Sequence, residues 1–143
     1  MNIKKIKKYI LPFVFIISAS ATLGSLYFSE VMKLPPCSLC WYQRAMMYPI
    51  PLVMVVGLFR NDKNSVFFAL PLAIVGLIIA TYHNLLYYHL IPESVQPCTT
   101  GISCTIKQIE WFGFISIPLL SLTAFGVIIA SLLLYHKLFL RKN

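Results

Sequence analysis

Four apolar runs, each about as long as a membrane crossing, divide this chain, and charged or turn-forming residues separate them. They cover roughly residues 9–28, 41–59, 66–88 and 112–135. An α-helix rises about 1.5 Å per residue, so about 20 apolar residues cross a hydrocarbon core of about 30 Å. Lys4, Lys5, Lys7 and Lys8 precede the first run, Arg60 and Lys63 sit in the tight turn after the second, and Lys137, Arg141 and Lys142 follow the fourth. These nine of the twelve basic residues share one face, which the positive-inside rule makes cytoplasmic. Lys33, Arg44 and Lys107 fall on the other face, with the acids Glu30, Glu93 and Glu110. The pattern predicts an all-α membrane protein, a four-helix transmembrane bundle with both termini cytoplasmic. It reads as one domain, residues 1–143, with outer loops at roughly 29–40 and 89–111.

Composition narrows the class. The chain is 59% hydrophobic and 11% charged, whereas a soluble domain is about 25% charged. Mean hydropathy is +0.80. A net charge of +8 would raise nucleic-acid binding in a soluble protein. Here the cations end apolar runs, so they read as topology signals, and nucleic acid is set aside as a partner. The lysines, the first run and Ala19-Ser20-Ala21 resemble a cleavable signal, but apolar character continues to Phe28 and favours an uncleaved span. Within that span Ser20 and Gly24, and Ala21 and Ser25, stand four apart, a spacing that suits close helix packing in lipid. Pro12, Pro49, Pro51, Pro71 and Pro118 fall inside spans, where neighbouring helices are expected to satisfy freed carbonyls.

The chemistry lies in four cysteines, all on the outer face. Cys37 and Cys40 form a C-x-x-C that opens the second span behind Pro35-Pro36. A helix N-terminus favours negative charge and lowers a thiol pKa. In helical geometry Cys37, Cys40 and Arg44 share one face, so the Arg44 cation can stabilise a thiolate or an adjacent oxyanion. Taken alone, Arg44 reads as a snorkelling side chain; beside a C-x-x-C the catalytic reading is favoured. Cys98 and Cys104 lie in the longer outer loop, where C-x5-C by itself fits a structural disulfide equally well. Next to the first pair it reads as the point where electrons arrive. An all-cysteine zinc site is disfavoured by the wide second spacing and by an oxidising compartment, so no metal is expected.

Electrons leaving a dithiol need an acceptor. The sequence has no haem C-x-x-C-H and no dinucleotide-binding glycine pattern, and too few ligands for an iron–sulfur cluster beside a redox pair. A quinone dissolved in the membrane remains. Arg44 and Gln43 are expected at its oxygens, Met47 in an apolar slot beside it, and His83, about 7 Å inside the outer end of span three, as a further contact. A packed, hydrogen-bonded histidine is an equal reading of His83. Trp41, Tyr42, Tyr87, Tyr88, Trp111 and Phe112 fit an aromatic belt at the outer interface.

Pro36-Cys37-Ser38-Leu39-Cys40-Trp41-Tyr42-Gln43-Arg44, followed by Met47-Tyr48-Pro49, resembles the signature of DsbB-type disulfide-bond formation proteins. Trp111-Phe112-Gly113-Phe114-Ile115-Ser116-Ile117-Pro118 is similar to the start of their fourth span. The likeness covers nearly the whole chain and is nearest to the compact BdbC branch of Gram-positive bacteria. It implies a multi-pass protein of the bacterial cytoplasmic membrane, a thiol:quinone oxidoreductase using menaquinone or ubiquinone. The implied partner is an extracytoplasmic thioredoxin-fold oxidase of the DsbA or BdbD kind, and the product is disulfides in exported proteins. Cys98 would form the mixed disulfide, Cys104 would exchange with Cys37, and Cys40 would face the quinone beside Arg44. Gram-negative members separate the second pair more widely. Two other readings are a vitamin K epoxide reductase-like enzyme, whose C-x-x-C lies in a late span, and a non-enzymatic scaffold stapled by outer disulfides.

Overall fold

The computed structural model describes residues 3–60, 62, 64–91, 110–111 and 115–140. Helix α1 (Ile3–Leu26) continues through a π-turn, Tyr27–Val31, and an extended stretch leads to α2 (Ser38–Met47) and α3 (Pro49–Arg60). Helix α4 is Ser65–Tyr87 and α5 is Ile117–Leu140. Two-residue strands β1 (Glu110–Trp111) and β2 (Ile115–Ser116) pair antiparallel, with Glu110 opposite Ser116, and lead into α5. The last helix therefore begins some residues after the apolar run does.

Three segments are long and apolar enough to cross a membrane: Tyr9–Val31, Ser65–Tyr87 and Ile117–Leu138. The second apolar run lies within a bent pair, α2 followed by α3, together as long as α4. The bend follows from Pro49 and Pro51. Neither has an N–H, so the carbonyls of Ala45 and Met47 lose their helical donors, and the rings crowd the preceding turn. Tyr48 N–H still reaches Arg44 O at 2.9 Å, which keeps α2 helical up to the joint.

The helices form an all-α membrane bundle in which α1 packs on α3 and α5, α4 packs on the same two, and α2 lies over α4. Val14, Ile50, Met54, Ala69, Ala73, Ala80, Phe125, Ile128 and Leu132 make the sealed interior. Phe13, Leu23, Leu52, Phe59, Phe68, Ile78 and Leu133 point outward. An apolar exterior on every helix is what lipid, not water, stabilises.

Close approach of α4 and α5 depends on a small-residue seam, Ala69, Ala73, Gly76 and Ala80. A Cβ at Gly76 would overlap the fully buried Phe125 ring. Gly76→Ala is therefore expected to destabilise the bundle by about 1–3 kcal/mol, the usual cost of overpacking. Thermal unfolding in detergent measures it, and an unchanged midpoint would refute the close contact. At the outer end Asn84 Nδ2 donates to Ala80 O and Pro118 O, each at 2.8 Å, and so joins α4 to the start of α5.

Candidate redox site

The extended backbone of Cys37, at φ −72° and ψ 170°, makes it the N-cap of α2. Pro36 thus precedes the cap and does not fill the first helical position. Cys37 Sγ accepts from Cys40 N–H at 3.4 Å and lies 3.1 Å from Cys40 Sγ. A sulfur thus does the capping work usually done by a hydroxyl or carboxylate.

The cap position also sets what each of the two sulfurs, 3.1 Å apart, meets. Cys37 is outside the helical register and turns toward α4, packing with Leu39 and Leu86. Its Sγ lies 3.8 Å from His83 Nε2. His83, only 3% exposed, meets Gln43 through its other ring nitrogen, with Gln43 Nε2 2.9 Å from His83 Nδ1. Cys40 packs on the same cluster and also lines a cavity of about 430 Å³ between α1, α2 and α5.

Gln43, Arg44 and Met47 line the same cavity, so Cys40 and these three occupy one face of α2. The opposing wall is Ser20, Ala21, Gly24 and Ser25 of α1, with Leu120 and Phe125 of α5. The small residues of α1, expected to bring helices together, instead make room; a Cβ at Gly24 would meet nothing within 4 Å. Arg44 donates to Ser25 O at 3.0 Å and lies 5.5 Å from the centre of the Trp41 ring, a cation–π arrangement that holds the guanidinium at the wall. His83 does not line the cavity; it reaches it only through Gln43. Cys98 and Cys104 lie outside the described residues.

The cavity also presents Tyr48, whose hydroxyl is buried with no hydrogen-bond partner among the described residues. Sequence reasoning passed over it as part of a motif. The available signal was its place one residue before the proline break, four after Arg44.

The reduced pair, which lies just before the second apolar run, holds its charge unequally. The hydrogen bond from Cys40 pulls the Cys37 thiol down to about 4, helped by the hydrogen bond and charge of His83 and opposed by burial. Cys40 keeps its proton: sharing that bond and being buried beside the Cys37 charge push its thiol up, and only Arg44 and the backbone bond pull the other way. The site is thus a thiolate–thiol pair poised for exchange.

Residues 7–135 match the family model described as "Disulfide bond formation protein DsbB". The chain is similar to "Probable disulfide formation protein C 2" of Bacillus anthracis, with 47% identity over 131 residues, 91% of each chain. It is 44% identical to "Disulfide bond formation protein C" of Bacillus subtilis (strain 168) over 116 residues, 80% of this chain and 83% of that one. No solved structure matches it. With a C-x-x-C capping a helix at the mouth of a membrane bundle, the chain belongs to the DsbB family of disulfide-bond formation proteins and is a disulfide-forming membrane oxidoreductase.

Proposed function

We propose that the protein reoxidises an extracytoplasmic thioredoxin-fold oxidase and passes the electron pair to a membrane quinone, with its cysteines on the outer side of the cytoplasmic membrane. The observation that carries this reading is one cavity wall shared by a redox sulfur, Cys40, and a fixed cation, Arg44. An apolar slot of about 430 Å³ with Gln43 and Arg44 on its walls fits a planar ring bearing two oxygens. A quinone held there by Arg44 and Gln43 would supply the two-electron acceptor.

The partner's thiolate attacks Cys98 of a Cys98–Cys104 disulfide and frees Cys104. Cys104 attacks Cys37 of the Cys37–Cys40 disulfide, and Cys40 leaves as the thiolate. The partner's second thiol then resolves the first mixed disulfide, and Cys98 closes on Cys104 and releases Cys37. The Cys37–Cys40 pair is left as a dithiol, whose two electrons and two protons the acceptor would take up to restore the starting state. His83 eases release of Cys37 by holding its negative charge, since a lower leaving-group pKa speeds exchange. While Cys37 is bonded to another sulfur, its charge no longer raises Cys40, and the Arg44 cation then favours the Cys40 thiolate.

The test is turnover of a reduced thioredoxin-fold oxidase with and without added quinone. Arg44→Gln and Gly24→Leu, the second filling the slot, are each expected to raise KM for quinone about tenfold or more, with little change in thermal midpoint. Quinone-independent turnover, or unchanged KM in both variants, would remove the slot from the reaction.

A further inference from the structure

Cys37 Sγ, Cys40 Sγ and His83 Nε2 converge so that all three lie within 4.8 Å of one another. Tetrahedral zinc with Zn–S of about 2.3 Å and Zn–N of about 2.0–2.1 Å holds its donors roughly 3.5–3.8 Å apart. Here the two sulfurs are 3.1 Å apart, closer than that, and Cys37 Sγ to His83 Nε2 is 3.8 Å, at its upper edge. Binding would require the sulfurs to move apart by about 0.7 Å.

The surroundings are those of a built site. Cys37 and His83 are 6% and 3% exposed. Metal-binding histidines are usually oriented by a hydrogen bond on the second ring nitrogen, and Gln43 provides one on Nδ1 at 2.9 Å. Turning the Gln43 amide over presents its oxygen, which fixes the proton on Nδ1 and leaves the Nε2 lone pair facing the sulfurs. Two sulfurs and one imidazole are a donor set for zinc-like ions, and among the described residues no fourth Cys, His, Asp or Glu joins them.

We propose that the reduced protein binds one thiophilic d10 cation of the zinc type through Cys37, Cys40 and His83, leaving the fourth coordination position open, and that this binding holds the pair reduced. Metal binding and disulfide formation are mutually exclusive, because sulfurs joined to each other are no longer thiolate donors. The cation neutralises two thiolates and is released when the pair is oxidised; it changes no oxidation state itself. The proposed donor set, two sulfurs and one imidazole, differs from an all-cysteine arrangement; Cys98 and Cys104 lie outside the described residues. The inference does not rest on the quinone reading and survives if another acceptor is used.

The test uses the full chain in detergent carrying Cys98→Ser and Cys104→Ser, so that one pair remains. Zn2+ is titrated against a chromogenic chelator, before and after oxidation of the pair, and the zinc-loaded protein is studied by X-ray absorption. The expected result is one Zn2+ per chain in the dithiol state and none in the disulfide state, with two sulfur donors and a nitrogen donor. Gln43→Ala should weaken binding about 10–100-fold, and His83→Ala at least as much. No stoichiometric binding by the dithiol, sulfur-only coordination, or undiminished affinity in His83→Ala would overturn the proposal. The absorption spectrum of the His83-containing chain decides the matter even where a variant folds poorly.

Discussion

Cys40→Ser is expected to abolish quinone-dependent turnover, by on the order of 10³-fold or more, as loss of a covalent participant does. The reason is positional. Cys40 is the one cysteine among the described residues that lines the cavity, while Cys37 is turned to α4. A serine hydroxyl at that place cannot form or break a disulfide. The Cys37 thiolate could still attack the Cys98–Cys104 disulfide and free Cys98, so the variant should accumulate a Cys37–Cys104 mixed disulfide that no acceptor resolves. Non-reducing electrophoresis with mass mapping detects it. Persistence of electron transfer to quinone would mean that Cys37 alone serves the acceptor, which its orientation contradicts.

The second large effect concerns ionisation of Cys37. Its thiol is pulled from 9.0 to about 4 in the folded, reduced protein. A depressed pKa means the thiolate is complete well above pH 4 and is lost as pH falls through about 4. At pH 6 an ordinary thiol is almost wholly protonated, whereas Cys37 is held as the thiolate. The rate gain is smaller than the gain in thiolate, because nucleophilicity falls with pKa. The shape of the profile is therefore the better measurement. In a chain carrying Cys98→Ser and Cys104→Ser, the ultraviolet thiolate absorbance of the reduced pair should stay level from pH 5 to 8 at one thiolate per chain. An ordinary dithiol would instead gain thiolate steeply toward pH 8. His83→Ala should move the inflection upward, since His83 is one of the groups that hold the charge. An inflection near 9 in the unaltered pair would refute the thiolate–thiol arrangement.

Much of this site is written in local sequence. The prolines before Cys37, the C-x-x-C spacing and Arg44 one turn deeper all act within a single helix, where periodicity translates into position. Gln43, Arg44 and Met47 share the cavity wall for that reason. What escaped the pattern depends on other helices. Small residues at Ser20, Ala21, Gly24 and Ser25 signal only that little volume is present, and whether a neighbour or a ligand fills the space is decided by where α5 lies. The tight helix contact fell instead at Gly76 of α4, where a phenylalanine from α5 needs the room. Cys37 and Cys40 were expected on one face because both were counted as helical. The cap conformation puts Cys37 outside the helical register, yet its sulfur still lies 3.1 Å from that of Cys40. His83 was legible as a buried ionisable group, but its partners, a sulfur 46 positions away and an amide 40 away, were not. The break at Tyr48 was visible in the prolines; their combined effect in dividing α2 from α3 was not drawn from them.

Gln43 belongs to two neighbourhoods at once. Its side chain borders the cavity and also holds His83, which in turn sits against the Cys37 sulfur. A guest that drew on that amide would change the partner offered to the imidazole, and with it the ease with which the capping sulfur gives up or regains a proton. By thermodynamic reciprocity the ionic state of Cys37 would then change how firmly the guest is held. One amide would thereby join occupancy to sulfur chemistry.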